Sequence, residues 1–236
     1  MRKLGLIGGM SWIATAAYYE QINAAWQKAR GAPSSAPMLI ENLDFAGLAG
    51  LESEEDWARA ADCLTASAQR LEAAGAGLLL IAANSMHRVY DAVAASVSIP
   101  VLHIADCVGQ EMAAAGVNKA AVVATHNVAF GSFYRRRLVG HGIDLLPPDP
   151  DVTAEIDRIV YEELVAGRVT RDAERALKTI ITGKAQQGAE AIVLGATELE
   201  LVVDVDANVL PIYSSTRIHA AHAVRWLLDG GTAGAA

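Results

Sequence analysis

Two segments of this chain carry residue types that small-molecule chemistry needs, and they are built alike. The first runs Gly75-Ala76-Gly77-Leu78-Leu79-Leu80-Ile81-Ala82-Ala83-Asn84-Ser85-Met86-His87. The second runs Gly188-Ala189-Glu190-Ala191-Ile192-Val193-Leu194-Gly195-Ala196-Thr197-Glu198. Each passes from a Gly-Ala start through an apolar run of buried-strand length into small and polar residues. Asn84 and Ser85 offer amide and hydroxyl donors suited to a carboxylate, although Ser85 would serve equally as a helix cap. Thr197 is the matching donor in the second segment. Glu198 can receive an ammonium group, or sit as a solvated first-turn residue favoured by the helix dipole. In an open parallel sheet, ligands bind at the C-terminal ends of the strands. A duplicated end of this kind suggests two facing groups acting on one small molecule. Ala83 and Ala196 then occupy the places where a reactive side chain is wanted.

Other residues fall into the same scheme. Gly8-Gly9-Met10-Ser11 follows an apolar run and opens a helical pattern. Glycines there let backbone N–H groups approach an anion at the helix N-terminus, with Ser11 as its cap. The pattern is neither a dinucleotide fingerprint nor a phosphate-binding loop of the Walker type. Thr125, in Thr125-His126-Asn127, closes a further apolar run and is the matching ligand contact there. His87 is placed to act as acid or base, but one turn into a helix it reads as hydrogen-bonded structure. His219 and His222 have a spacing compatible with metal ligation, yet no acidic or cysteine partner lies nearby, so packing is the better reading. No metal is expected. Cys63 and Cys107 sit in helical patterns as small buried hydrophobes, outside any CxxC or zinc spacing.

The elements that must position these residues are legible as alternation. Expected strands are Lys3–Gly8, Pro37–Asn42, Leu78–Ala82, Val101–His103, Ala120–Ala124, Ala191–Gly195 and Val209–Tyr213. Amphipathic stretches lie between them, among them Glu54–Ala73, Asp151–Ala166 and Arg171–Gln187. Strand and helix in turn imply an α/β protein with parallel sheets flanked by helices. Gly142–Pro150 reads as a turn-rich connection. The repeat of Ala83 at Ala196, with Ile99-Pro100-Val101 matched by Leu210-Pro211-Ile212, predicts two similar lobes. We expect residues 1–103 with 214–236 to form the first lobe and 104–213 the second, the last helix returning to the first, with a cleft between facing strand ends.

Bulk properties set limits. With 53% hydrophobic and only 19% charged residues, the chain is globular and not disordered. A net charge of −8 speaks against nucleic acid as a partner, and the basic triplet Arg135-Arg136-Arg137 reads as a solvated helix face. No run approaches a membrane span, and the start of the chain lacks the flanks of a signal peptide, so a cytoplasmic location is expected.

Taken jointly, several motifs resemble the cofactor-independent aspartate/glutamate racemase superfamily, in its aspartate-racemase or broad-specificity amino-acid racemase branch. They are Lys3-Leu4-Gly5-Leu6-Ile7-Gly8-Gly9-Met10-Ser11-Trp12, Leu43-Asp44-Phe45, Asn84-Ser85-Met86-His87 and Pro100-Val101-Leu102-His103-Ile104-Ala105-Asp106. Phe133-Tyr134, Tyr161-Glu162-Glu163-Leu164, Gly195-Ala196-Thr197-Glu198 and Ile218-His219-Ala220 complete the set. The resemblance implies two pseudo-symmetric lobes, an active site in the cleft between them, and a homodimer. It implies a small amino acid as substrate, with no metal, pyridoxal or nucleotide. One thiolate removes the α-proton while a thiol on the opposite face returns one, and donors at the carboxylate stabilise the carbanion-like charge. Gly9, Met10, Ser11, Asn84, Ser85, Thr125, Thr197 and Glu198 are the implied substrate contacts.

The chain departs from that pattern at the reacting positions. The expected cysteines fall at Ala83 and Ala196, and neither Cys63 nor Cys107 substitutes for them. Where acid-binding relatives carry an Arg and a Lys, the chain reads Ala46-Gly47-Leu48 and Val165-Ala166-Gly167; Val128 and Ser214 replace a frequent threonine and aspartate. Three expectations follow. The chain is a racemase silenced at both cysteine positions, or a natural non-catalytic relative that binds a small amino or dicarboxylic acid. The third is another reaction with His87 or Glu198 as base.

Overall fold

A computed structural model describes residues 2–229. These divide into two compact units: residues up to His103 together with those from His219 onward, and Ile104–Ile218. Both are α/β.

In the first unit the order is β1 (Leu4–Gly8), α1 (Trp12–Arg30), β2 (Met38–Asn42), α2 (Glu54–Ala73), β3 (Leu78–Ile81) and α3 (Tyr90–Ala95). The sheet is parallel with order β2-β1-β3, Leu4 lying opposite both Met38 and Leu78. β1 and β3 are wholly buried and therefore apolar throughout, whereas edge strand β2 is only half-covered. Alternate residues of β3 feed opposite faces. Leu79 and Ile81 join Trp57, Leu64 and Leu71 of α2, while Leu78 and Leu80 join Tyr18 and Ile22 of α1 and Ala223 and Val224 near the chain's end. α2 starts where a Ser53–Asp56 capping box satisfies its first amides.

The second unit contains α4 (Ile104–Ala114), β4 (Lys119–Val123), α5 (His126–Ala129), α6 (Ser132–Gly140), β5 (Asp144–Leu145), α7 (Pro150–Arg158), α8 (Arg171–Gln186), β6 (Ala191–Leu194), β7 (Ile212–Ser214) and the start of α9 (Ser215–Leu228). Its parallel order is β5-β4-β6-β7. Ile192 and Leu194 pack on α7 and α8, and Ala191 and Val193 pack on α4 and α6. Among the described residues, no helix is long and apolar enough to cross a membrane.

Four local expectations are corrected. Val101–His103 is not a strand but a single bridge, Leu79 to Val101, because Pro100 has no N–H and α4 begins at Ile104. Gly142–Pro150 is not all turn, since Asp144 and Leu145 pair with β4 before the two prolines end the strand. The last strand is not Val209–Tyr213 but begins at Ile212, after Pro211, and runs to Ser214. The helix expected over Asp151–Ala166 is regular only to Arg158; a π-helical turn (Ile159–Glu163) and a 3-10 turn (Leu164–Ala166) follow, ended by Gly167.

Gly9 fixes how the β1 loop meets the β2 loop. Its φ is +89°, and a Cβ there would lie 2.0 Å from the Leu43 carbonyl oxygen and 2.4 Å from its nitrogen. Both are backbone atoms that cannot step aside. Gly75 has a similar φ of +92° with open space around it. Gly9→Ala should therefore destabilise the fold by about 3 kcal/mol or more and Gly75→Ala by only about 1–2 kcal/mol. Urea unfolding of the two variants checks the order; equal losses would refute it.

Candidate functional site

In the first unit the candidate residues gather at the C-terminal ends of two neighbouring strands. The Ala82 amide donates to the Ile7 carbonyl at 2.9 Å, and the Leu43 amide donates to Gly8 at 3.0 Å, so three strand ends are tied together. Gly9 donates its N–H to Thr15 Oγ1 at 2.7 Å, and Thr15 in turn donates to the Ser11 carbonyl at 3.0 Å. Ser11 caps α1 by accepting from the Ala14 amide, as its position suggested, and Met10 and Ser11 are both buried.

Beside them stand Ala83, Asn84 and Ser85. Asn84 is 4% exposed, and neither its amide nitrogen nor its amide oxygen has a partner. A buried amide left so costs about 1–3 kcal/mol, which is sustained where a ligand supplies the missing partners. Ser85 does not cap the turn Ser85–Val89, for no side-chain bond is made at that N-terminus. His87 is buried and donates from Nδ1 to the Ala83 carbonyl at 2.9 Å. Its ring lies 4.6 Å from that of His103 and 5.8 Å from that of His219. His87 thus fits its structural reading, braced beneath the turn that carries residues 83–85. His219 Nδ1 and the Tyr18 hydroxyl share a hydrogen bond of 2.8 Å, so that ring nitrogen is spent on packing.

The second unit repeats the arrangement. The Gly195 amide donates to the Val123 carbonyl at 2.9 Å, bringing the end of β6 beside the end of β4. Thr125 is buried there and starts α5 without a side-chain cap bond. Ala196 is extended, and Thr197 and Glu198 begin a 3-10 turn. Glu198 is 8% exposed, which excludes the solvated first-turn alternative. Ala83 and Ala196 occupy equivalent places, each two residues past the last paired residue of its strand, Ile81 or Leu194.

One residue went unassigned in the sequence. Tyr161 lies on the π-helical turn, half-exposed, with its phenol near the Thr125 side chain. Burial, then the charges of Asp157 and Glu198, push its phenol above the ordinary value. Asp157 accepts from the His126 amide at 2.9 Å, and its own burial raises its carboxyl. The motif Tyr161-Glu162-Glu163-Leu164 was visible, but a regular helix gave no reason to aim Tyr161 at Thr125.

The basic triplet is not a solvated face: Arg135 donates to the Leu146 carbonyl at 3.1 Å and Arg137 to the Asp106 carboxylate. Cys107 is buried on α4, whereas Cys63 on α2 is only partly so.

Burial, then the charge of His87, depresses the His219 pKa well below its ordinary 6.5. Below about pH 6.5 the unfolded chain takes up a proton that the folded chain refuses. Stability should therefore fall as pH drops through that value, by up to ~1.4 kcal/mol per unit, until the folded pKa is reached. Urea unfolding between pH 7 and 5 measures this slope. It should be shallower in His219→Gln, and an unchanged slope would reject the assignment.

Comparison with known proteins adds three findings. The family model for Asp/Glu/Hydantoin racemases matches residues 7–223. The broad-specificity amino-acid racemase RacX of Bacillus subtilis (strain 168) is 23% identical over 218 residues, covering 90% of this chain and 92% of that protein. Among solved structures, a Yersinia pestis protein assigned to the Asp/Glu racemases is 35% identical with a TM-score of 0.87, over 97% of this chain and 100% of that one. An aspartate racemase homologue from Pyrococcus horikoshii OT3 is 28% identical with a TM-score of 0.83, over the same shares of 97% and 100%.

Proposed function

The chain belongs to the Asp/Glu/Hydantoin racemase family, and on that footing we propose that it has the framework of a cofactor-independent amino-acid racemase, silent because both proton-transfer positions hold alanine. The observation that carries this reading is the equivalence of Ala83 and Ala196, each two residues past a buried strand and one residue past a rung to the neighbouring strand. Two-base racemisation needs a base to take the α-proton and an acid to return one. Paired, equivalent positions suit those two roles, and a thiol at each would supply them. A methyl group has no proton to exchange. The remaining residues are suited to holding an amino acid. The Asn84 amide offers a donor and an acceptor, and Ser11, Ser85, Thr125 and Thr197 offer hydroxyls. Their donors would also stabilise negative charge developing toward the carboxylate. A cytoplasmic homodimer completes the proposal, supported by the family likeness alone.

Restoring both side chains tests the idea. Ala83→Cys/Ala196→Cys should exchange the α-proton of an amino acid in deuterated water, followed by proton NMR, at least about 1,000-fold faster than the parent. No exchange with any common amino acid would reject the racemase framework. Asn84→Leu, checked for an unchanged fold by circular dichroism, should weaken amino-acid binding to the parent about tenfold in calorimetry.

A second reading, a natural relative that only binds its ligand, is favoured by how the alanines pack. Ala83 lies in the apolar cluster with Ile81 and Met86, and Ala196 in that with Leu194 and Leu199. Amino-acid binding by the parent without exchange in the double cysteine variant would select it.

A further inference from the structure

We infer that His87 is a positioning residue, whose imidazole holds the turn on which Asn84 presents its side-chain amide to the ligand. The inference rests on the amino-acid-binding reading above. All the residues it involves lie in the first unit.

The Asn84 side chain goes where its backbone sends it, and His87 grips that backbone on both sides. Its Nδ1 lies 2.9 Å from the Ala83 carbonyl oxygen, and its backbone amide donates to the Asn84 carbonyl at 3.2 Å. A carbonyl oxygen only accepts, so Nδ1 carries the proton. The two carbonyls belong to the rigid peptide planes on either side of the Asn84 Cα. With both planes held, φ and ψ of Asn84 stay at −63° and −47°, and its Cα–Cβ bond has one direction. No side chain caps this turn at its start. The amide so aimed is buried and lacks a partner for either atom.

The imidazole is itself set by rings from three other segments. Tyr90 of α3 lies nearly parallel to it with centroids 6.3 Å apart, and the His103 and His219 rings are 4.6 and 5.8 Å away. Tyr90 is anchored in turn, its hydroxyl donating to the Val101 carbonyl at 2.9 Å. A hydrocarbon ring would fill the same space without reaching the Ala83 carbonyl. The second unit shows that a strand-end turn of this kind does not call for an imidazole. There the Ala196 carbonyl accepts from the Leu199 backbone amide at 3.3 Å, and the place of His87 is taken by Glu200, bonded to Ser214.

Isothermal titration calorimetry of the unmodified chain against both enantiomers of alanine, serine, methionine, lysine, aspartate and glutamate selects the tightest ligand as probe. His87→Phe keeps a ring without the N–H, and His87→Gln carries its amide one bond too far. Each should weaken probe binding at least about fivefold. His87→Asn sets an amide N–H at the place of Nδ1 and should stay within about twofold of the parent. In the Asn84→Leu background the Phe and Gln changes should cost less than about twofold more, because what they position is gone. Circular dichroism checks each fold, and the Gln and Asn pair decides alone where Phe is not tolerated. Unchanged affinity in His87→Gln, an equal loss in His87→Asn, or the full loss persisting in the Asn84→Leu background overturns the inference and leaves the proposed function standing. Binding of no amino acid by the unmodified chain overturns both.

Discussion

Two hydrogen bonds set the positions of almost everything of interest in this chain. The Ala82 amide reaches the Ile7 carbonyl and the Gly195 amide reaches the Val123 carbonyl, each at 2.9 Å. Each is the last rung between a buried strand and its neighbour, and each precedes a critical alanine by one residue. In a parallel ladder the register of the strands fixes where the last rung falls. The packing of β3 and β6 into a core on each face fixes the register in turn, because a slip would exchange the side chains that fit the two cores. Positions 83 and 196 are thus placed by hydrophobic burial, each one residue before a polar side chain suited to a ligand, Asn84 or Thr197.

Polar groups divide around those rungs according to whether the protein satisfies them itself. Thr15, Ser11 and His87 spend hydrogen bonds inside the first unit. Asn84, whose carbonyl accepts from the His87 amide, has no partner for either atom of its side-chain amide. A buried side-chain amide with both its donor and its acceptor unsatisfied has them available for a ligand.

Much of this was legible in the residues. The apolar runs at Leu78–Ile81 and Ala191–Leu194 read as buried strands because they are uninterrupted, of strand length and bounded on one side by glycine. The full length of α2 followed from its period. What escaped depended on contacts remote in sequence. Val101 could not be told from a strand residue without knowing that α4 starts three residues later. Asp144 and Leu145 lacked the length of a strand. Glu198 could be either solvated or buried until its surroundings were fixed. The role of Tyr161 was hidden because helical periodicity assigns every residue the same rotation, and the π-helical turn breaks that rule.

That turn has an evolutionary consequence. A π-helical turn holds one more residue than the α-helix around it. Removing a single residue between Ile159 and Glu163 would restore the regular helix and rotate its side chains by about 100°, the angle per residue at 3.6 residues per turn. Tyr161 would swing away from Thr125 while the sheet and its buried strands stayed as they are. Descendants of this gene can therefore gain or lose the phenol through a one-codon insertion or deletion, a route that substitution counts would not register.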